Sequence, residues 1–150
     1  MVDLVLLTGI SGFVGGHVAL ALLKAGYRVR GSVRDLGKSE KVRAALAKAG
    51  GDMNRLEFVQ LDLNSDAGWD KAMEGVRYLQ HTASPFVTSM PKDKMELVRP
   101  AVDGTRRALS AALAAQVERI DCTRACGACG EHQAGIGKIG RQAIGIEALG

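Results

Sequence analysis

A run of regularly spaced glycines near the amino end constrains the fold of this chain more than any other feature. Gly9, Gly12 and Gly15 are spaced G-x-x-G-x-x-G, directly after the branched apolar run 4–7. Apolar residues then recur at helical spacing as far as Gly26. This order predicts a buried strand, a tight turn and a helix. The first glycine would permit the turn, the second would let a pyrophosphate approach the backbone, and the third would let the helix pack closely on the sheet.

The rest of the chain to residue 120 alternates between predicted strands and helices. Strands are predicted at residues 4–7, 27–33, 56–61 and 76–82, and later helices at 39–49, 69–73 and 94–115. Pro100 is expected to kink the last helix or start it afresh. A fifth strand should open at residues 118–120, although residues 121–124 do not continue it convincingly. The alternation predicts the α/β class, a doubly wound parallel sheet of Rossmann type, truncated after about five strands.

Composition excludes several other classes. The chain has 150 residues, 47% hydrophobic and 24% charged, which fits one soluble globular domain and not a disordered, collagenous or coiled-coil protein. Twenty basic residues against sixteen acidic ones are scattered along the sequence, so no nucleic-acid-binding arm is expected. No apolar run reaches the ~18 residues of a membrane span, and nothing resembles a secretory signal. We therefore expect a cytoplasmic protein.

The predicted glycine turn is a candidate phosphate site. Backbone N–H groups in such a turn, together with the positive end of the following helix, stabilise phosphate groups. The candidate phosphate-binding residues lie between positions 8 and 15. They are Thr8, Gly9, Gly12, Phe13, Val14 and Gly15.

The end of the second strand bears on which dinucleotide binds. Arg34 follows this strand, and Lys38 and Lys41 come shortly afterwards. Cations at this point neutralise the 2′-phosphate of NADP, whereas NAD sites place a carboxylate here for the ribose hydroxyls. Asp35 could serve NAD in that way. The basic residues favour NADP over NAD.

Five motifs together resemble one known family. They are Thr-Gly-x-x-Gly-Phe-Val-Gly at 8–15, Val-Arg-Gly-Ser-Val-Arg-Asp at 29–35, Leu-Asp-Leu at 61–63, His-Thr-Ala-Ser-Pro at 81–85, and Arg-Pro-Ala-Val-x-Gly-Thr at 99–105. In this order they resemble the extended short-chain dehydrogenase/reductases of the NAD-dependent epimerase/dehydratase superfamily, in particular the dihydroflavonol reductase-like branch. The resemblance covers residues 3 to about 120.

The resemblance implies roles for residues at four strand ends. Arg34 and Lys41 would bind the 2′-phosphate of NADP. Asp62 and Leu63 would contact the adenine, although an aspartate at a strand end can equally cap the following turn. Ala83 and Ser84 would run beside the nicotinamide ribose and the phosphates. We interpret His81 and His17 as structural residues.

The family's catalytic residues have no counterpart in this sequence. Relatives reduce carbonyls with a Ser or Thr and a Tyr-x-x-x-Lys pair, but neither Tyr27 nor Tyr78 is followed by Lys four positions later. No catalytic residue is therefore assigned. The resemblance implies the cofactor-binding half of an NADP-dependent oxidoreductase whose full-length form reduces a small ketone or aldehyde, and the chain alone is expected to be inactive. The alternative is a non-catalytic dinucleotide-binding sensor or scaffold domain.

An incomplete sheet would also expose an apolar edge, through which the chain could self-associate.

The last thirty residues differ from the rest. Residues 121–150 are rich in glycine and contain all three cysteines, Cys122, Cys126 and Cys129. This cysteine spacing is typical of iron–sulfur ligands in radical S-adenosylmethionine enzymes, but the preceding sequence belongs to another fold, so no metal site is predicted. The dinucleotide-binding domain is therefore predicted to span 1–120. A shifted reading frame after Ile120 is one hypothesis for the atypical segment, and the coding sequence tests it.

Overall fold

The computed structural model describes residues 2–83, 92, 93 and 95–122. In this part of the chain, five parallel strands form one sheet in the order β3-β2-β1-β4-β5. The strands are β1 Leu4–Thr8, β2 Arg28–Val33, β3 Leu56–Gln60, β4 Tyr78–His81 and β5 Arg119–Cys122. The predicted doubly wound parallel sheet is confirmed.

Helices connect the strands. They are α1 Phe13–Lys24, α2 Ser39–Lys48, α3 Trp69–Met73 and α4 Met95–Ala114, with short 3-10 helices at Leu36–Lys38 and Met53–Arg55. No helix in the described residues is both long enough and apolar enough to cross a membrane.

The central strand β1 is buried along its whole length, as the apolar run 4–7 predicts. Leu4 and Leu6 pack into a core that includes Trp69 and Met73 of α3. Leu7 belongs to a second core, which includes Leu23 of α1 and residues of β2. Because side chains alternate along a strand, β1 supplies both cores and must be apolar throughout.

One of the two outcomes expected at Pro100 does not occur: α4 continues through this residue as one helix and does not start afresh there. Proline removes only one backbone hydrogen-bond donor, which a helix of 20 residues can lose.

The expectation that Asp121 and Cys122 do not continue the fifth strand is wrong. β5 includes both residues and pairs with β4 in the register Gln80↔Asp121 and His81↔Cys122. Ladder hydrogen bonds use the main chain, so these polar side chains do not prevent pairing. Partial burial raises the pKa of the Asp121 carboxyl.

Other predictions fall partly or wholly outside the described residues. Cys126 and Cys129 lie there, so the domain boundary after residue 120, the metal-free interpretation of the tail and the reading-frame hypothesis stay predictions. Among the described strands, β5 pairs only with β4. Self-association through its other edge also stays a prediction.

Candidate functional site

The candidate site lies at the carboxyl ends of the parallel strands. The chain passes from β1 to β2 and β3 on one side, then crosses to β4 on the other side of β1. Such a reversal leaves a crevice above β1, where open α/β sheets bind ligands. The glycine turn connects β1 to α1 at this position.

The first and third glycines of the turn are required by packing within the chain. Gly9 has φ +73°, and a Cβ there would lie 2.8 Å from Cα of Ala83. A Cβ on Gly15 would lie 2.0 Å from the carbonyl oxygen of Gly9. The tight turn predicted at Gly9 is confirmed. Gly15 permits close packing of α1, but against the backbone of the turn at Gly9 and Ile10 and not against a strand.

The middle glycine is different. Gly12 precedes α1 with φ −79° and ψ 167°, an extended conformation that any residue adopts. Within 4 Å, a Cβ there would meet only the Gly9 carbonyl oxygen among the described atoms, at 3.4 Å. Gly12 is also exposed. Nothing in the described chain therefore requires glycine at this position, and the space beside it faces outward.

The amino end of α1 can accept an anion. No side chain caps this helix, and its first turn has no acidic residue. Residues 11–14 are exposed, and Phe13 is 84% exposed. The first N–H groups of a helix have no partner within it. Those of Phe13 and Val14 belong to exposed residues at the positive end of the helix dipole. His17 packs edge-on against the Phe13 ring, with the ring centroids 4.6 Å apart.

A buried hydrogen-bond cluster joins the ends of β1 and β4. The Thr8 hydroxyl accepts bonds from the N–H groups of Thr82 and Ala83, at 3.1 and 3.2 Å, and lies 2.7 Å from Nδ1 of His81. Two backbone donors occupy the oxygen lone pairs, so the hydroxyl proton points to Nδ1. Burial lowers the pKa of His81 to about 4, which keeps the ring neutral near pH 7. Thr8 and His81 thus position Ala83 beside the glycine turn.

The end of β2 carries exposed cations. Arg34, Lys38 and Lys41 are exposed, and none of them makes an ion pair with a described residue. The Asp35 carboxylate instead accepts a bond from the N–H of Gly37 at 2.9 Å and caps the short 3-10 helix. The cations are therefore available to a ligand, and the Asp35 carboxylate holds one backbone donor through Oδ1.

The end of β3 carries Asp62 and Leu63. Asp62 is exposed, and its carboxylate accepts a bond from the N–H of Asn64 at 2.9 Å. This is the turn-capping geometry that the sequence left open as an alternative. Leu63 is half-buried and packs against Gly104 of α4. Ser84 lies outside the described residues.

Sequence reasoning missed one residue that shapes the turn. A Cβ on Gly31 in β2 would lie 2.4 Å from Cδ1 of Ile10, a buried residue of the turn. A glycine inside a strand indicates a close approach by another group, so Gly31 was a usable signal.

Comparison with known proteins identifies one family. The model of the "NAD dependent epimerase/dehydratase family" matches residues 5–141. Tetraketide alpha-pyrone reductase 1 of Arabidopsis thaliana is 39% identical over 105 residues, which cover 70% of this chain and 32% of that protein. Dihydroflavonol 4-reductase of Hordeum vulgare is 35% identical over 124 residues, covering 82% of this chain and 35% of that protein. The chain spans about a third of the length of these relatives.

Solved structures agree with this match. Gre2 of Candida albicans in complex with NADPH superposes with a TM-score of 0.68 at 28% identity, over 80% of this chain and 36% of that one. The yeast methylglyoxal/isovaleraldehyde reductase Gre2 complexed with NADPH gives a TM-score of 0.67 at 27% identity, over 79% and 36%.

Proposed function

Because the chain belongs to the NAD dependent epimerase/dehydratase family, we propose that it is the dinucleotide-binding part of an NADP-dependent oxidoreductase that reduces a ketone or an aldehyde. The observation that carries the proposal is the outward-facing space at Gly12, beside the uncapped amino end of α1. The fold does not require glycine at this position. The absence of a side chain there fits a ligand that approaches the backbone closely.

Strand order and the cations at the end of β2 support one direction for the dinucleotide. The pyrophosphate binds above β1, at the backbone of Gly12, Phe13 and Val14. β2 and β3 are the next strands on one side, so the adenosine half extends over them. Arg34 and Lys41 then meet the 2′-phosphate, and the adenine reaches the end of β3. The nicotinamide half extends the other way, toward Ala83 and the residue after it, Ser84.

The exposed cations at the end of β2 support NADP over NAD. Arg34 and Lys41 are exposed and unpaired with described carboxylates, whereas Asp35 caps its own helix. A guanidinium binds a phosphate through charge-assisted hydrogen bonds. Two of the similar structures are also described as complexes with NADPH.

The chain's own tyrosines lie away from this site. In the β1–β4 register, Tyr78 lies opposite Val5. Val5 is three residues before Thr8, which is a distance of roughly 10 Å along the strand. Tyr27 packs against Tyr78, with the ring centroids 6.2 Å apart. Neither phenol is placed to donate a proton at the glycine turn. NADPH supplies hydride in such reductases, and we propose that this chain binds it without catalysing turnover.

The test is a calorimetric titration of the chain with NADPH and with NADH. We expect NADPH to bind more tightly. Gly12→Leu should abolish binding of both, because its side chain fills the outward space, while a thermal melt confirms that the variant is folded. Gly16→Ala is the matched control, since its Cβ would lie 3.9 Å from the nearest atom, the Ile10 carbonyl oxygen. No heat with either dinucleotide, or unchanged affinity in Gly12→Leu, contradicts the proposed site.

Cofactor preference is tested at Arg34. Arg34→Ala should weaken NADPH binding by about 10-fold or more, since a hydrogen bond to a charged group contributes about 1.5–3 kcal/mol, and should leave NADH binding nearly unchanged. Lys48→Ala, at the far end of α2, is the control for the loss of one positive charge. Equal losses for NADPH and NADH would contradict the assignment of Arg34 to the 2′-phosphate.

A further inference from the structure

The loop between β3 and α3 is ordered in part by its own turn. The N–H of Ser65 donates to the carbonyl oxygen of Asp62 at 3.1 Å, and the N–H of Asn64 donates to the Asp62 carboxylate at 2.9 Å. Trp69 Nε1 donates to the Ser65 carbonyl oxygen at 2.9 Å, at the far end of the loop. These bonds involve neither the main-chain carbonyl nor the side chain of Leu63.

A side chain from α4 holds that carbonyl. Arg107 Nη1 donates to the Leu63 carbonyl oxygen at 2.8 Å, and Nε of the same guanidinium pairs with the carboxylate of Asp66. The Arg107 side chain is 27% exposed, whereas that of Asp66 is 89% exposed. One planar group therefore bridges two points of the loop, and the bond to Leu63 is the more protected of the two.

The same helix also holds the Leu63 side chain. Gly104, one helical turn before Arg107, is buried, and a Cβ there would lie 2.9 Å from Cβ of Leu63. The helix backbone is thus in contact with this side chain. α4 therefore fixes both the main chain and the side chain of Leu63.

We propose that Arg107 is a positioning residue for the adenine end of the dinucleotide site, an inference that rests on the proposed function. Adenine would bind against the loop at the end of β3, and Arg107 holds that loop in one conformation before the ligand arrives. A loop that is already ordered does not lose conformational entropy on binding, so the affinity is higher. Arg107 itself acts through Leu63 and Asp66.

The chain offers a matched control. Arg106 is the neighbouring residue, carries the same charge and is exposed, and no hydrogen bond or ion pair joins it to another described residue. Arg106→Ala therefore removes the same charge as Arg107→Ala without releasing the loop. Arg107→Lys keeps the charge, but an ammonium group does not reproduce the planar fork that reaches both partners.

The test compares ligands that occupy different parts of the site. Adenosine 2′,5′-bisphosphate probes the adenine end, inorganic pyrophosphate probes the glycine turn alone, and NADPH probes both; NMR titrations give the affinities. In Arg107→Ala we expect adenosine 2′,5′-bisphosphate and NADPH to bind about tenfold more weakly, with pyrophosphate binding unchanged. Arg107→Lys should fall between wild type and alanine, and Arg106→Ala should match wild type. Hydrogen exchange at the Asn64 and Ser65 amides should become faster in Arg107→Ala and stay unchanged in Arg106→Ala.

Three results overturn the inference. The first is equal affinity of Arg107→Ala and Arg106→Ala for adenosine 2′,5′-bisphosphate. The second is a uniform loss for all three ligands in Arg107→Ala, which indicates general damage to the fold. The third is a wild-type chain that binds neither adenosine 2′,5′-bisphosphate nor NADPH. This third result also overturns the proposed function, whereas the first two leave it standing.

Discussion

Replacing Gly15 by alanine should destabilise the fold strongly, although it adds only one methyl group. Its Cβ would lie 2.0 Å from the carbonyl oxygen and 2.8 Å from the carbonyl carbon of Gly9, and 3.0 Å from Cα of Ile10. All three atoms belong to the backbone, so no side-chain rotation relieves the clash. The variant must move α1 away from the turn, which loosens the packing of Ala19 and Leu23, both buried residues of this helix.

The expected cost follows from the kind of contact. Overpacking a core costs typically 1–3 kcal/mol, and a clash between two backbone segments belongs at the upper end of that range. We therefore expect the free energy of unfolding of Gly15→Ala to fall by about 3 kcal/mol. For a domain of this size, the melting temperature should fall by roughly 10 °C.

Gly16→Ala is the control, since it adds the same methyl group at the next position of α1. Its Cβ would lie 3.9 Å from the Ile10 carbonyl oxygen, an ordinary contact distance. Alanine is preferred to glycine inside a helix by about 0.5–1 kcal/mol, so this variant should be more stable than wild type. Urea denaturation and thermal melting followed by circular dichroism measure both variants. Equal stability of Gly15→Ala and Gly16→Ala would refute the reasoning.

Two further predictions concern Gly31 and His81. Gly31→Ala should lower the free energy of unfolding by about 1–2 kcal/mol in urea denaturation, less than Gly15→Ala, because its Cβ meets the flexible end of the Ile10 side chain at 2.4 Å. Burial lowers the pKa of His81 from its ordinary 6.5 to about 4, so the unfolded chain binds more protons between these values. The contribution of the neutral ring is complete above pH 6.5 and is lost as the pH falls toward 4, by up to about 3 kcal/mol. His81→Gln should lack this component in denaturation curves measured from pH 7 to pH 4.

Each of these predictions has a contradicting outcome. A Gly31→Ala variant as unstable as Gly15→Ala would show that the Ile10 side chain cannot move. A His81→Gln variant that loses stability with falling pH as steeply as wild type would show that other groups cause the acid sensitivity.

Much of the fold could be predicted from local patterns. The helix at residues 69–73 has the predicted bounds, and the strands differ from prediction by no more than two residues at an end. Apolar alternation, helical spacing and glycine positions are local signals, and they determine where an element begins and ends. The extent of β5 was missed because the polar residues Asp121 and Cys122 give no local strand signal. Pairing with β4 decides that extent.

The candidate site, like the fold, could be predicted from the sequence only in part. Gly9, Gly12 and Gly15 were identifiable because three glycines between a strand and a helix are a local pattern. Only the folded chain shows why each residue is glycine: a Cβ on Gly9 or Gly15 would clash with backbone, whereas a Cβ on Gly12 would meet only the Gly9 carbonyl oxygen, at 3.4 Å. The alternatives at Asp35 and Asp62 also depend on geometry. In sequence, a carboxylate that caps its own turn looks the same as one that contacts a ribose or an adenine.

By itself, the amino-acid sequence determined the class of fold and the family, because both depend on patterns of neighbouring residues. Only the tertiary structure decided which residues of the chain contact one another over long sequence separations. Thr8 meets His81 across 73 positions, and Arg107 reaches Leu63 across 44, through strand order and helix packing. Contacts over such separations arise from the arrangement of whole elements, so no local pattern encodes them.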